Sequence, residues 1–180
     1  MNNIGVPPTV IAIDPSLNCS GVAIFKNWEL ESVCRIKPKK TVPDHRLTEI
    51  AYTFMDILVD VRPPAVLAIE TQYLSRSFGG NSVAKVIEVK GLFQGVFLAW
   101  ELKKADVPRG EVVNVSPLEA KQSVGVLKSL KSKEAKLAVL EAVNSIYKLP
   151  VTHPDEADAV AIGTYAIKKL KTNYILDRYS

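Results

Sequence analysis

The sequence predicts an α/β protein in one domain spanning residues 1–180: a mixed five-stranded sheet with helices on both faces. Three observations predict it. Residues 10–25, VIAIDPSLNCSGVAIF, hold two apolar runs around a tight polar loop, which reads as a buried hairpin. Residues 65–69, AVLAI, are an almost uninterrupted apolar run, as expected of a strand covered on both sides. Long amphipathic segments follow the early strands and alternate with the later ones.

Taken in order, residues 9–13 form the first strand, 21–26 its antiparallel return and 29–36 a third strand, with Lys26-Asn27 marking the second turn. Pro43 opens a helix to about residue 61, with Leu47, Ile50, Phe54, Ile57 and Leu58 on one face. Arg62-Pro63-Pro64 ends it. After strand 65–69, Asn81 or Ser82 is expected to cap a second long helix reaching about residue 104. A short strand covers 111–115. Ser116, Pro117 and Glu119 then spell a capping box with proline in the first helical position. Helices over about 133–147 and from 153 onward complete the chain. The order β-β-β-α-β-α-β-α-α-α is that of the ribonuclease H-like fold, in which the first and fourth strands run side by side and parallel.

No run nears the ~20 apolar residues of a membrane span, and the N-terminus lacks a secretory pattern. Cys19 and Cys34 match no metal-ligand spacing, so reduced thiols in a cytoplasmic protein are expected. Net charge is +4, from 23 Lys and Arg against 19 Asp and Glu. Its distribution says more than its total. Lys121, Lys128, Lys131, Lys133 and Lys136 share one segment with a single acid, Glu134. Further clusters are Lys37, Lys39, Lys40 and Lys168, Lys169, Lys171. Separate basic and acidic surfaces follow, which suits a nucleic-acid partner.

The acids fall at strand and helix ends. Asp14 ends the first strand and Glu70 the fourth; on parallel neighbours both reach one sheet edge, where open α/β sheets carry their sites. Asp155 and Asp158, three apart at a helix start, share a face, and Asp158 borders the apolar run AVAIG. Singly, each has a bland reading as a loop cap, a surface acid or a helix-dipole partner. Four together, with no matching arginine, repel one another, and hard divalent cations resolve that repulsion. Oxygen-only ligands suit Mg2+, with Mn2+ able to substitute, and two ions sharing a carboxylate suit phosphodiester hydrolysis. Asp14 then ends its strand in a carboxylate to serve as the bridging ligand.

At this point the residues resemble the RuvC-type Holliday-junction resolvase family. IAIDPSLNCSGVAIF resembles its opening hairpin, LAIETQY the segment of its second acid, and SPLEAKQSVGV its lysine-bearing segment. KEAKLAVLEAV resembles its later lysine helix and DEADAVAIG its terminal acidic motif. The resemblance implies a metal-dependent endonuclease that resolves four-way DNA junctions as a homodimer, with Asp14, Glu70, Asp155 and Asp158 as catalytic metal ligands. It places Lys121 and Lys136 near the scissile phosphate, with Lys133 as the alternative to Lys136, and Tyr73 at the junction crossover. Lys128 and Lys131 join the DNA-binding set. Ser16 stands where the family has glycine, and VLKSLKS replaces its glycine-rich basic loop, so sequence preference is not carried over.

His153 is expected at the helix cap rather than in the reaction. From 91 to 100, GLFQGVFLAW has one polar residue, Gln94, so a second apolar face remains; Gly91, Gly95 and Ala99 recur on it, which predicts a two-fold dimer. Rival readings are a ribonuclease H or transposase-type nuclease on the same fold, a sugar-kinase or actin-like ATP-binding protein, and a non-catalytic junction-binding module. The ATP-binding architecture needs a second domain for which 180 residues leave no room, and four acids argue against a module without chemistry.

Overall fold

The computed structural model describes residues 7–71, 80–104, 110–127 and 132–176. The elements are β1 Thr9–Asp14, β2 Ser20–Lys26, β3 Glu29–Ile36, α1 Pro43–Val59, β4 Ala65–Glu70, α2 Gly80–Leu102, β5 Glu111–Val115, α3 Pro117–Ser123, α4 Ser132–Ile146 and α5 Pro154–Leu176. Their order is the one expected. The sheet runs β3-β2-β1-β4-β5. The first hairpin and the β2–β3 pair are antiparallel, while β1–β4 and β4–β5 are parallel.

Period-two alternation divides the core. Val10 and Ala12 of β1, with Val66 and Ala68 of β4, face α3, α4 and α5. Ile11 and Ile13, with Leu67 and Ile69, face Phe54 and Leu58 of α1 and Phe93 and Phe97 of α2. Phe54 and Phe93 meet edge to face, with ring centroids 5.0 Å apart. Small residues on the first side, Ala12, Ala23 and Ala68, let α5 lie close to the strands.

The β2–β3 turn places Asn27 and Trp28 at positive φ, 52° and 68°. That is the two-residue hairpin geometry whose twist matches the strands. The Ser116 capping box of α3 is formed in both directions. One expectation is corrected: α2 begins at Gly80, so Asn81 and Ser82 fall in its first turn rather than ahead of it.

Candidate active site

The C-terminal ends of β1, β4 and β5 lie at one sheet edge, with the start of β2 and the end of β3. β1 delivers Asp14 there, and β4, in register with it through Ile13 and Ile69, delivers Glu70 beside it. The loop after Asp14 is held by two serines. Ser20 Oγ donates to the Ser16 carbonyl at 2.7 Å and accepts from the Ser16 N–H at 2.9 Å.

The first turn of α5 brings Asp155 and Asp158 over β2 to the same edge. This approach requires glycine at position 21, the residue paired with Asp14: a Cβ there would overlap the Asp155 carbonyl. His153 precedes the helix as its N-cap. Its Nδ1 accepts from the Asp155 N–H at 3.3 Å and lies 3.3 Å from Asp155 Oδ2. Glu156 returns the arrangement by accepting from the His153 N–H at 3.3 Å. Glu156 thus supplies the returning half of a capping box, while the imidazole caps the second helical N–H instead of the third.

One carboxylate oxygen from each of Asp14, Asp155 and Asp158 lies within 4.8 Å of the others. Glu70 joins them electrostatically. Burial, then the charge of Asp158, pushes its carboxyl up to about 7 against the pull of Lys121 and Lys136. Asp14 is raised well above the carboxylate range by burial and then by Glu70 and Asp158. Asp158 is also raised by burial, although Lys136 and Lys121 oppose the shift. Desolvated like charges of this kind favour protons or cations.

Lys136 of α4 enters the centre. Its Nζ lies 3.6 Å from Asp155 Oδ1 and 3.6 Å from Asp158 Oδ2. Its side chain remains 49% exposed, against 19% and 18% for the two aspartates. Burial lowers its pKa, but Asp158, Asp155 and Asp14 raise it more, so the ammonium persists. Lys133 lies one turn earlier, exposed on the same helix. Lys121, on α3 after β5, is close enough to act on both Glu70 and Asp158. Tyr73, Lys128 and Lys131 lie outside the described residues.

Two neighbours of the site carry no sequence motif of their own. Arg35 of β3 pairs with Glu156 at 3.4 Å. Cys19, in the β1–β2 loop, has its thiol pKa raised by burial and then by a hydrogen bond with Asp155. Only the strand register and the path of α5 bring them here. Both cysteines are free thiols.

A five-stranded mixed sheet of this order, with helices on both faces, is the ribonuclease H-like fold. Solved structures share the fold over nearly the whole chain. T. thermophilus RuvC in complex with a Holliday junction substrate superposes with a TM-score of 0.63 at 22% identity, covering 92% of this chain and 96% of that one. The Thermus thermophilus RuvC structure gives 0.60 at 22% identity, covering 91% and 96%. The yeast mitochondrial Holliday junction resolvase Ydc2 gives 0.60 at 12% identity, covering 99% and 88%. No protein-family model and no curated protein matches the chain. Among the described residues, no helix is long and apolar enough to cross a membrane.

Proposed function

We propose that this protein is a structure-selective, divalent-metal-dependent endodeoxyribonuclease that resolves four-way DNA junctions by paired symmetric nicks. The observation that carries the reading is the meeting of Asp14, Asp155 and Asp158, with Glu70 coupled to them, at the parallel edge of this fold. The fold is shared end to end with solved resolvases, one of them bound to a junction.

The donor set fits a hard divalent cation. It is made of carboxylate oxygens, is partly buried, and carries more negative charge than Lys136 neutralises. Asp14, Glu70, Asp155 and Asp158 would hold Mg2+, or Mn2+ in its place, in a two-ion arrangement. Bound ions would supply an activated water and neutralise charge on the departing oxygen.

The chain's own residues do the remaining work. Asp14 feels the charges of Glu70 on one strand and of Asp158 and Asp155 on α5, so it is the acid assigned to serve both. Lys136 sits on a half-exposed, flexible stem, so its ammonium can turn from Asp155 and Asp158 to a phosphate oxygen. Lys121 adds positive charge on the β5 side, Lys133 is assigned DNA contacts from the exposed side of α4, and the sequence resemblance assigns DNA contacts to Lys128, Lys131 and Tyr73 as well.

The partner surface is the outer face of α2. Ile87, Leu98 and Leu102 are 47%, 45% and 73% exposed, and the space beside Gly91 and Gly95 is open. A two-fold homodimer through this face suits two symmetric cuts in one junction.

The test is a synthetic four-way junction incubated with protein and Mg2+, next to an RNA–DNA hybrid and a plain duplex. Paired nicks at symmetric positions in the junction are expected. Preferential cutting of the hybrid or of plain duplex would replace this reading with a ribonuclease H or transposase-type one.

A further inference from the structure

The lysines at 37, 39 and 40 have no part in the carboxylate centre, yet the sheet brings them to its edge. Asp14 pairs with Gly21, and Gly21 pairs with Arg35. Arg35 therefore lies on the same transverse line as Asp14, two strand spacings or about 10 Å away. The chain leaves β3 at this edge and continues as Lys37-Pro38-Lys39-Lys40, in which all three lysines are exposed.

This segment is braced from two sides. Glu49 Oε2, on α1, accepts from the N–H groups of both Lys39 and Lys40, at 2.9 and 3.1 Å. Arg46, one turn earlier, donates from Nε to the Lys40 carbonyl at 2.7 Å and from Nη1 to Asn18 Oδ1 at 2.6 Å. Asn18 belongs to the loop that begins at Asp14, so one guanidinium ties the lysine segment to the catalytic loop. A solubilising lysine tail would need no such brace. The bonds hold the backbone and leave side chains free to meet a ligand without ordering the chain. With Lys121 after β5, positive charge then flanks the carboxylates on both sides along the edge.

We propose that residues 35–40, braced by Glu49 and Arg46, form a docking surface for the phosphate backbone of one duplex arm, on the β3 side of the active site. The proposal rests on the junction-nuclease reading. A poly-anionic duplex fits because regularly spaced phosphates match a short fixed row of cations beside the cutting centre.

The experiment is fluorescence anisotropy with a labelled four-way junction in chelator, so that no cutting occurs, across a range of salt. Replacing Lys37, Lys39 and Lys40 together by Gln should weaken binding about tenfold and lower the salt slope by about 2–3. Lys26→Gln removes a cation from the far end of β2, where it pairs with Glu31, and should bind like wild type. Glu49→Ala is the sharper variant. Losing a negative charge should tighten DNA binding by simple electrostatics, whereas losing the brace should weaken it about threefold or more, with an unchanged melting profile. The docking surface is overturned if the triple variant matches Lys26→Gln in affinity and slope, or if Glu49→Ala binds more tightly. Failure of the wild-type protein to bind the junction at all would overturn the functional reading instead.

Discussion

Lys136 Nζ stands 3.6 Å from Asp158 Oδ2, and it holds the same distance to Asp155 Oδ1. A single ammonium thus sits between two carboxylates that are also candidates to bind a metal. It relieves their repulsion in the metal-free protein and competes with an incoming cation for the same oxygens. Lys136→Met keeps the aliphatic stem and removes the charge. The metal-free variant should melt about 1–3 °C lower, since a half-exposed pair contributes about 1 kcal/mol at most. Its Mn2+-induced rise in melting temperature should be larger than that of wild type. A smaller rise would show that Lys136 assists metal binding rather than opposing it.

Asp14 feels the charges of Glu70, Asp158 and Asp155, and in the proposed site Asp14→Asn should reduce junction cleavage below detection in Mg2+. Binding in chelator should stay within about threefold of wild type, because affinity for DNA comes mostly from phosphate-facing cations. Retained cutting would remove Asp14 from the chemistry.

Glu70 makes metal-free stability depend on pH. Its carboxyl is pushed from 4.5 up to about 7, chiefly by burial and by Asp158. The folded state therefore holds a proton that the unfolded chain releases, and stability is greatest below the unfolded value and declines as pH rises toward about 7. The decline should be on the order of 1–3 kcal/mol between about pH 4.5 and 7, with Asp14 and Asp158 acting in the same direction. Manganese displaces the same protons, so its stabilising effect should grow across that window. In chelator, Glu70→Gln should flatten the dependence and melt higher than wild type at about pH 7.5. A Glu70→Gln protein that melts lower at that pH and keeps the wild-type slope would take Glu70 out of the cluster.

The proposed dimer face can be tested without harming the fold, because a Cβ at Gly95 would meet open space. Gly95→Leu should raise the helix propensity of α2 by up to about 1 kcal/mol while blocking close helix approach. Sedimentation should show monomers, and paired nicking should give way to slow single nicks. An unaltered dimer would move the interface elsewhere, and a wild-type monomer at micromolar concentration would defeat the dimer.

Much of this arrangement is legible in the residues because the signals are local. An acid directly after an apolar strand marks Asp14 and Glu70, and a three-residue spacing marks Asp155 and Asp158. The capping box at Ser116 and the turn at Asn27 are equally short-range. What stays hidden depends on pairs distant in sequence. Choosing Lys136 over Lys133 requires knowing which side of α4 faces α5, and the Arg46–Asn18 bond spans 28 residues. The start of α2 is misjudged because polar residues that favour caps are also tolerated in a first helical turn. The least legible residue is Gly21, which carries no charge, no nucleophile and no ligand atom.

Gly21 supplies the last prediction. It pairs with Asp14 on one side and lies under the backbone of Asp155 on the other, so the two halves of the carboxylate cluster meet across it. Even a methyl group there would overlap the Asp155 carbonyl, and the obstacle is backbone rather than a flexible side-chain tip. The start of α5 must shift away from β2, carrying Asp155 and Asp158 from Asp14 and Glu70. Gly21→Ala should cost about 1–3 kcal/mol of stability, as overpacking does. Cleavage should fall by about 10²-fold or more, since ångström-scale misplacement at a reacting centre costs that much. Stability and function should separate: Mn2+ should stabilise the variant far less than wild type, while junction binding in chelator should change little. Gly163→Ala is the control, because it crowds the Phe25 ring beneath α5 and leaves the helix start alone. It should lower the melting temperature yet keep the metal response. Equal loss of the metal response in both variants would mean that α5 moves as a rigid whole, and that Gly21 has no particular hold on the site.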